Sequence, residues 1–96
     1  MPEVVIMEAQ VVAYHREAGH LQFDTGSRSE DATELKLTSP PEKNGSAFWL
    51  YHSRPPAADS LWREAGAHIR FSMDAADLAR YSKLYSGSAW DLQRID

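Results

Sequence analysis

Residues 48–56, FWLYHSRPP, bring three aromatics, a histidine and an arginine into nine positions. Aromatic rings offer stacking faces to bases or sugars, worth about 1 to 3 kcal/mol per stacked base. Strand periodicity divides the stretch into two faces, with Phe48, Leu50 and His52 on one and Trp49, Tyr51 and Ser53 on the other. The purely apolar character of Phe48 and Leu50 assigns them to the core, which turns Trp49 and Tyr51 outward. Those two rings are either a ligand face or are covered by the proline segment, a helix or a second copy of the chain. By the same parity His52 faces the core near the strand's end, as a satisfied rim histidine. A second polar set, His68, Arg70 and Ser72, alternates with Ile69, Phe71 and Met73. There Arg70 presents a planar donor fork suited to phosphate or carboxylate. Trp49, Tyr51, His68 and Arg70 are thus the expected ligand-binding residues.

Catalytic chemistry has little to draw on. The chain holds no glycine-rich phosphate loop, no His-x-x-x-His pair and no nucleophile elbow. Asp24-Thr25-Gly26 has the form of an aspartic-protease triplet, but the hydrophobic strands and flap segment that such a site needs are not recognisable around it. Turns take those residue types readily. His15, His20, His52 and His68, with Met7 and Met73, are nitrogen and thioether donors of the kind that suits copper. There is no Met-x-Met pair, and His15 and His20, flanking one expected turn, are two ligands rather than a shell. No catalytic residue, metal or cofactor is expected.

A chain of 96 residues makes about one small domain, which buries roughly 60 to 65% of the surface its unfolded form exposes. The composition, 43% apolar and 25% charged, is that of a folding globular chain. Without cysteine there are no disulfides and no thiolate metal sites, which is compatible with a reducing cytosol. The N-terminal run is acidic where a signal peptide is basic and is too short to span a membrane. The protein is therefore expected to be soluble and cytoplasmic, with no membrane partner. The net charge is -4, with eight acids against four bases in residues 1–47 and six of each in residues 48–96. A nucleic-acid binder draws most of its affinity from phosphate neutralisation. The overall charge therefore favours a protein partner or homodimer over single-stranded nucleic acid.

These side chains need strands to hold them. The β-branched run at 4–14 predicts a long strand, a turn at 15–19 with Gly19 at positive φ, and a second strand over 20–25 with Leu21 and Phe23 on one side. Apolar residues on both faces of the first strand, Val5, Met7 and Val11 against Val4, Ile6 and Val12, suit a strand that curves between two sheets or closes a barrel. Residues 26–32 form a polar loop, 33–38 a half-buried strand, and 39–46 a wide turn rich in Pro, Asn and Gly. Strand 47–53 follows and ends at Pro55 and Pro56. A short helix at 56–65 with Leu61, Trp62 and Ala65 inward is stopped by Gly66. The clearest strand alternation lies at 67–73. Asp74 caps a helix through Leu78, the stretch with Tyr81 and Tyr85 at helical spacing either continues it or is loop before Gly87 closes the segment, and a terminal strand over 88–95 places Trp90 and Leu92 on one face.

The segments VVAYHREAGHLQF, TELKL, LWREAGAHIRFSM and SAWDLQRI give an order of long curved strand, hairpin partner, third strand, helix, fourth strand and closing strand. That order resembles the oligonucleotide/oligosaccharide-binding (OB) barrel. The likeness is one of strands and turns, covers less than half the chain, and departs from the five-stranded plan at 47–53 and 74–86. It implies a β-rich fold, all-β or α+β, over 1–96: a small OB-like barrel of five to six mainly antiparallel strands with one or two short helices. The function it implies is a non-catalytic binding or interaction module for an extended ligand or single strand, the alternative being a protein-protein or homodimer interface. A copper carrier is a further alternative, since small OB-like periplasmic copper carriers are similar in general plan.

Overall fold

The computed structural model describes the backbone of residues 3–23, 26–80 and 84–96, and the side chains of the same residues outside 18–29. The β-branched start of the chain forms a strand, but that strand does not stop at His15. β1 (Val4–Phe23) runs for 20 residues and pairs antiparallel with the 14-residue β2 (Gly26–Ser39). Residues 15–19 are therefore an irregularity inside β1 and not a turn, and residues 26–32 are strand and not loop. His15 pairs with Ala32 and Gly19 with Glu30, so four steps along β1 match two along β2. The surplus chain bulges out, with Glu17 in the left-handed region at φ 55°. Asp31 holds the bulge: its carboxylate accepts the Tyr14 hydroxyl through Oδ2 and the Glu17 backbone N–H through Oδ1 at 3.0 Å. Turn-forming residue types were real signals here, but a side chain on the neighbouring strand satisfied the freed amide. The expected orientation of Leu21 and Phe23, and Asp24 and Thr25 of the protease-like triplet, lie outside what is described.

β3 (Ala47–His52) pairs antiparallel with β2 after a wide connection containing a cis Ser39–Pro40 bond, a 3-10 turn (Pro41–Lys43) and Gly45 at φ 88°. β4 (His68–Asp74) pairs antiparallel with the other side of β1. The two-residue β5 (Leu84–Tyr85) runs parallel to β3, and β6 (Ala89–Arg94) antiparallel to β4. The sheet order β5-β3-β2-β1-β4-β6 makes a curled half-barrel of six strands. One continuous run, residues 84–94, thus lies along both margins, beside β3 at its start and beside β4 at its end.

The concave side is the core. Met7, Ala9 and Val11 of β1, Leu35 and Leu37 of β2, Leu50 of β3 and Ile69, Phe71 and Met73 of β4 are all buried there. Burying each of the larger side chains contributes about 1.5 to 3 kcal/mol. The opposite side of β1, with Val4, Ile6 and Val12, is exposed to solvent, so the strand's two apolar faces do not lie between two sheets.

The expected helix at 56–65 is a 3-10 turn (Leu61–Arg63). Two prolines remove donors at its start, and ten residues are too few to hold an isolated helix without a broad apolar face. Instead Ser60 Oγ accepts the Trp62 N–H at 3.2 Å, and Trp62 swings into the barrel edge-on to Phe71, with ring centroids 5.4 Å apart. Leu61 is half-buried and Ala65 exposed, which leaves Trp62 as the anchor of this segment. Gly66, at φ 91°, returns the chain to β4 and donates its N–H to Val11 O at 2.7 Å. Asp74 does cap a helix, accepting the Ala76 N–H at 2.9 Å, but α1 (Ala75–Arg80) is one and a half turns long. Tyr81 lies outside the described residues, and Tyr85 belongs to β5. In β6, Asp91 sits at φ 54° where the pairing with β4 shifts, and this breaks the alternation. Trp90 therefore points outward while Leu92 packs against the core, and the two do not share a face.

Candidate functional site: an aromatic outer face

The convex face of β1, β2, β3 and β5 is organised in two rungs. In one, Ala13, Glu34 and Trp49 stand side by side; in the next, His15, Ala32, Tyr51 and Tyr85 do. At about 4.8 Å between strands, the second rung spans about 14 Å. Ala32 on β2, between His15 and Tyr51, keeps its middle low. Ala32 has no solvent exposure at all, although its side chain points away from the core, because larger neighbours flank it on both strands.

Trp49 is 37% exposed, and its ring centroid lies 5.2 Å from that of His15 on the far side of β2. His15 Nε2 donates to Glu34 Oε1 at 3.0 Å. The imidazole is thereby fixed against the indole, and a carboxylate sits at the foot of both. Tyr51 is half-buried, with the Tyr85 ring 6.4 Å away. The result is a strip of rings, Trp49 to Tyr51 to Tyr85, bordered by a carboxylate and an imidazole. Such a surface can stack on flat or ring-shaped groups and accept hydrogen bonds through Glu34. The described residues of its two rungs include no Lys or Arg, and along β2 Lys36 comes two residues after Glu34, so this surface has little to offer a polyanion.

His68 and Arg70 do not join it. They lie on β4, which β1 and β2 separate from β3. Arg70 stands opposite Glu8 and donates to Gln93 Oε1 at 3.2 Å. His15, Glu34 and Tyr85 are the residues that sequence reasoning missed. His15 was hidden by its turn-like neighbours and Tyr85 by the helical spacing before it. Glu34 alternates with Leu35 and was legible as an outward residue, but nothing local pointed to Trp49 as its cross-strand neighbour.

On the concave side of the same strand lies a second polar group. His52 is 3% exposed, with Nε2 at 2.7 Å from Thr33 Oγ1 and Nδ1 at 2.9 Å from Ser86 Oγ. Thr33 Oγ1 also donates to Trp62 O at 2.9 Å. Burial pushes the His52 imidazole below its ordinary range, opposed by the Asp31 carboxylate. The Tyr14 phenol is raised, first by burial and then by its bond to Asp31, while that bond and the Glu17 amide hold the Asp31 carboxyl low. The Arg63 guanidinium lies 4.6 Å above the Tyr14 ring. No group of His, Asp and Glu able to hold a metal occurs among the described residues, and Met7 and Met73 are core side chains without exposure. No helix among the described residues is long and apolar enough to cross a membrane.

Fold and site together define a small β-rich half-barrel that carries an aromatic strip on its convex face. No protein-family model matches the chain, and no curated protein or solved structure matches it significantly.

Proposed function

We propose that this protein is a non-catalytic binding module that takes an extended ligand across the convex face of β1, β2, β3 and β5. The observation that carries this reading is the rung His15–Ala32–Tyr51–Tyr85 with Trp49 beside it, an aromatic strip with a low step at Ala32. Glu34 at the foot of Trp49 and the net charge of -4 favour a neutral polyhydroxylated chain, stacked ring on ring, over a phosphate backbone. The strand arrangement supports an OB-like barrel as the frame: a long first strand paired with both the second and the fourth, and a final run lying parallel to β3 and then antiparallel to β4. In that frame the outer face of strands two and three is where oligomers bind. The lack of cysteine accords with a cytoplasmic setting. Titration with neutral oligosaccharides and with single-stranded oligonucleotides, followed by tryptophan fluorescence, tests the reading. Saturable change with the first and none with the second is expected; no change with either contradicts it.

A second reading, a protein partner or homodimer, is favoured by a different surface. Val4, Ile6 and Trp90 are 50, 57 and 42% exposed on the outer side of β1, β4 and β6, with Ile6, Ser72 and Trp90 in one rung. Light scattering that finds a monomer at high concentration removes the homodimer.

A further inference from the structure

Trp49, Tyr51 and His52 share one short strand, yet His52 faces the opposite way, into the barrel. Its hydrogen bonds have a determined direction. Trp62 O is a carbonyl and can only accept, so the Thr33 hydroxyl spends its single hydrogen there. Thr33 Oγ1 must then accept from His52, which places the imidazole hydrogen on Nε2 and leaves Nδ1 as a bare lone pair in the neutral ring. Nδ1 accepts the Ser86 hydroxyl. The chain from Ser86 through His52 and Thr33 to Trp62 O thus ties four segments together: the 3-10 turn Ser86–Ser88, β3, β2 and the 3-10 turn Leu61–Arg63.

The end of this chain adjoins the outer face. Ser86 follows Tyr85, the last ring of the strip, and β5 is only two residues long. A strand so short has few ladder bonds of its own, and Leu84 in the core, Tyr85 against Tyr51 and Ser86 against His52 all help to seat it.

We infer that His52 is a positioning residue for the aromatic face: its neutral ring fixes Ser86 and so seats Tyr85 beside Tyr51, and protonation of His52 unseats both. A proton on Nδ1 turns that atom from acceptor to donor, and the Ser86 hydroxyl can answer by turning its hydrogen outward and accepting, so the force that loosens the pair is the charge buried on His52, which is 3% exposed. The new charge also sits in a site with little to receive it. Facing it are the rings of Tyr14 on β1 and Trp62, at 6.1 and 6.2 Å between centroids, and Asp31 on β2, already engaged by Tyr14 and Glu17. Arg63, above the Tyr14 ring, and Arg16 add positive charge around that same cluster. Asp31 is the one carboxylate among these groups, and burial outweighs it.

The functional meaning of this device rests on the aromatic face being the binding surface, but the coupling itself is measured without ligand. In the full chain, NMR follows the His52 imidazole and the Tyr85 and Ser86 amides while the pH is lowered from 8. The expected result is that both amides shift with the same midpoint as the imidazole. In Ser86→Ala the imidazole still titrates while the Tyr85 amide no longer follows it, and Ser86→Thr, which keeps the hydroxyl, restores the coupling. Amides that stay put while His52 titrates, an unchanged Tyr85 response in Ser86→Ala, or a His52 that remains neutral until the protein unfolds would each overturn the proposal. A positive coupling together with failure to bind any oligosaccharide would refute the binding reading alone.

Discussion

Trp49 and His15 belong to strands that do not touch each other, yet their rings meet 5.2 Å apart over β2, with Glu34 bonded to the imidazole between them. The indole is therefore held on one side and open on the other, as a stacking platform must be.

Trp49→Ala is expected to weaken binding of a neutral oligosaccharide by about 5- to 150-fold, the equivalent of one stacking contact of about 1 to 3 kcal/mol. The half-exposed indole contributes little to the core, so the melting temperature should stay within a few degrees. His68→Ala and Arg70→Ala, on β4 with two strands between them and β3, should leave affinity unchanged. Calorimetric titration of the three variants, with circular dichroism melts alongside, makes the comparison.

Leu50, one residue further along β3, should behave in the opposite way. It has no exposure, and Leu50→Ala is expected to cost about 2 to 5 kcal/mol through lost burial and the cavity left behind. Urea unfolding measures this, and a loss well under 1 kcal/mol would contradict the assignment of the two faces of β3.

Stability should fall as the solution is acidified below about pH 6.5, where an unfolded histidine takes a proton. His52 is held lower in the folded state, so over that window the unfolded chain binds more protons than the folded one, and stability is lost as pH drops toward the folded value. Asp31, also held low, adds a separate loss below its ordinary value near pH 3.8. Urea midpoints between pH 8 and 5 for the wild type and His52→Gln test the first part, and the variant should show the shallower slope.

Asp31 staples the bulge in β1 through two bonds at once, so Asp31→Ala should free the Glu17 amide. Hydrogen exchange at Glu17 is expected to accelerate at least about tenfold in the variant, the effect of losing about 1.4 kcal/mol of local protection. Tyr14→Phe, which removes one partner of Asp31 and leaves the Glu17 bond in place, should have the smaller effect.

Much of this architecture was legible in the chain. Alternation located β3 and β4, assigned Leu50 inward and Trp49 outward, and marked Asp74 as a helix cap. What escaped was non-local. Residues 15–19 carry turn chemistry, and only the Asp31 carboxylate on the paired strand converts them into a bulge. Trp62 sits in a segment with helix-starting residues, but its anchorage against Phe71 overrides the weak local preference. Asp91 at positive φ reverses the parity of β6, so alternation put Trp90 on the wrong side of Leu92. The partners of Trp49 and Tyr51 come from β1, β2 and β5, and no spacing within residues 48–56 could announce them.

The most direct test of the binding face is amide chemical-shift mapping of the isotopically labelled protein on addition of a neutral oligosaccharide. Saturable shifts clustered at residues 13–15, 32–34, 49–51 and 84–85 are the predicted result. Shifts centred on Val4, Ile6, Ser72 and Trp90, or no saturable shift anywhere, would contradict it.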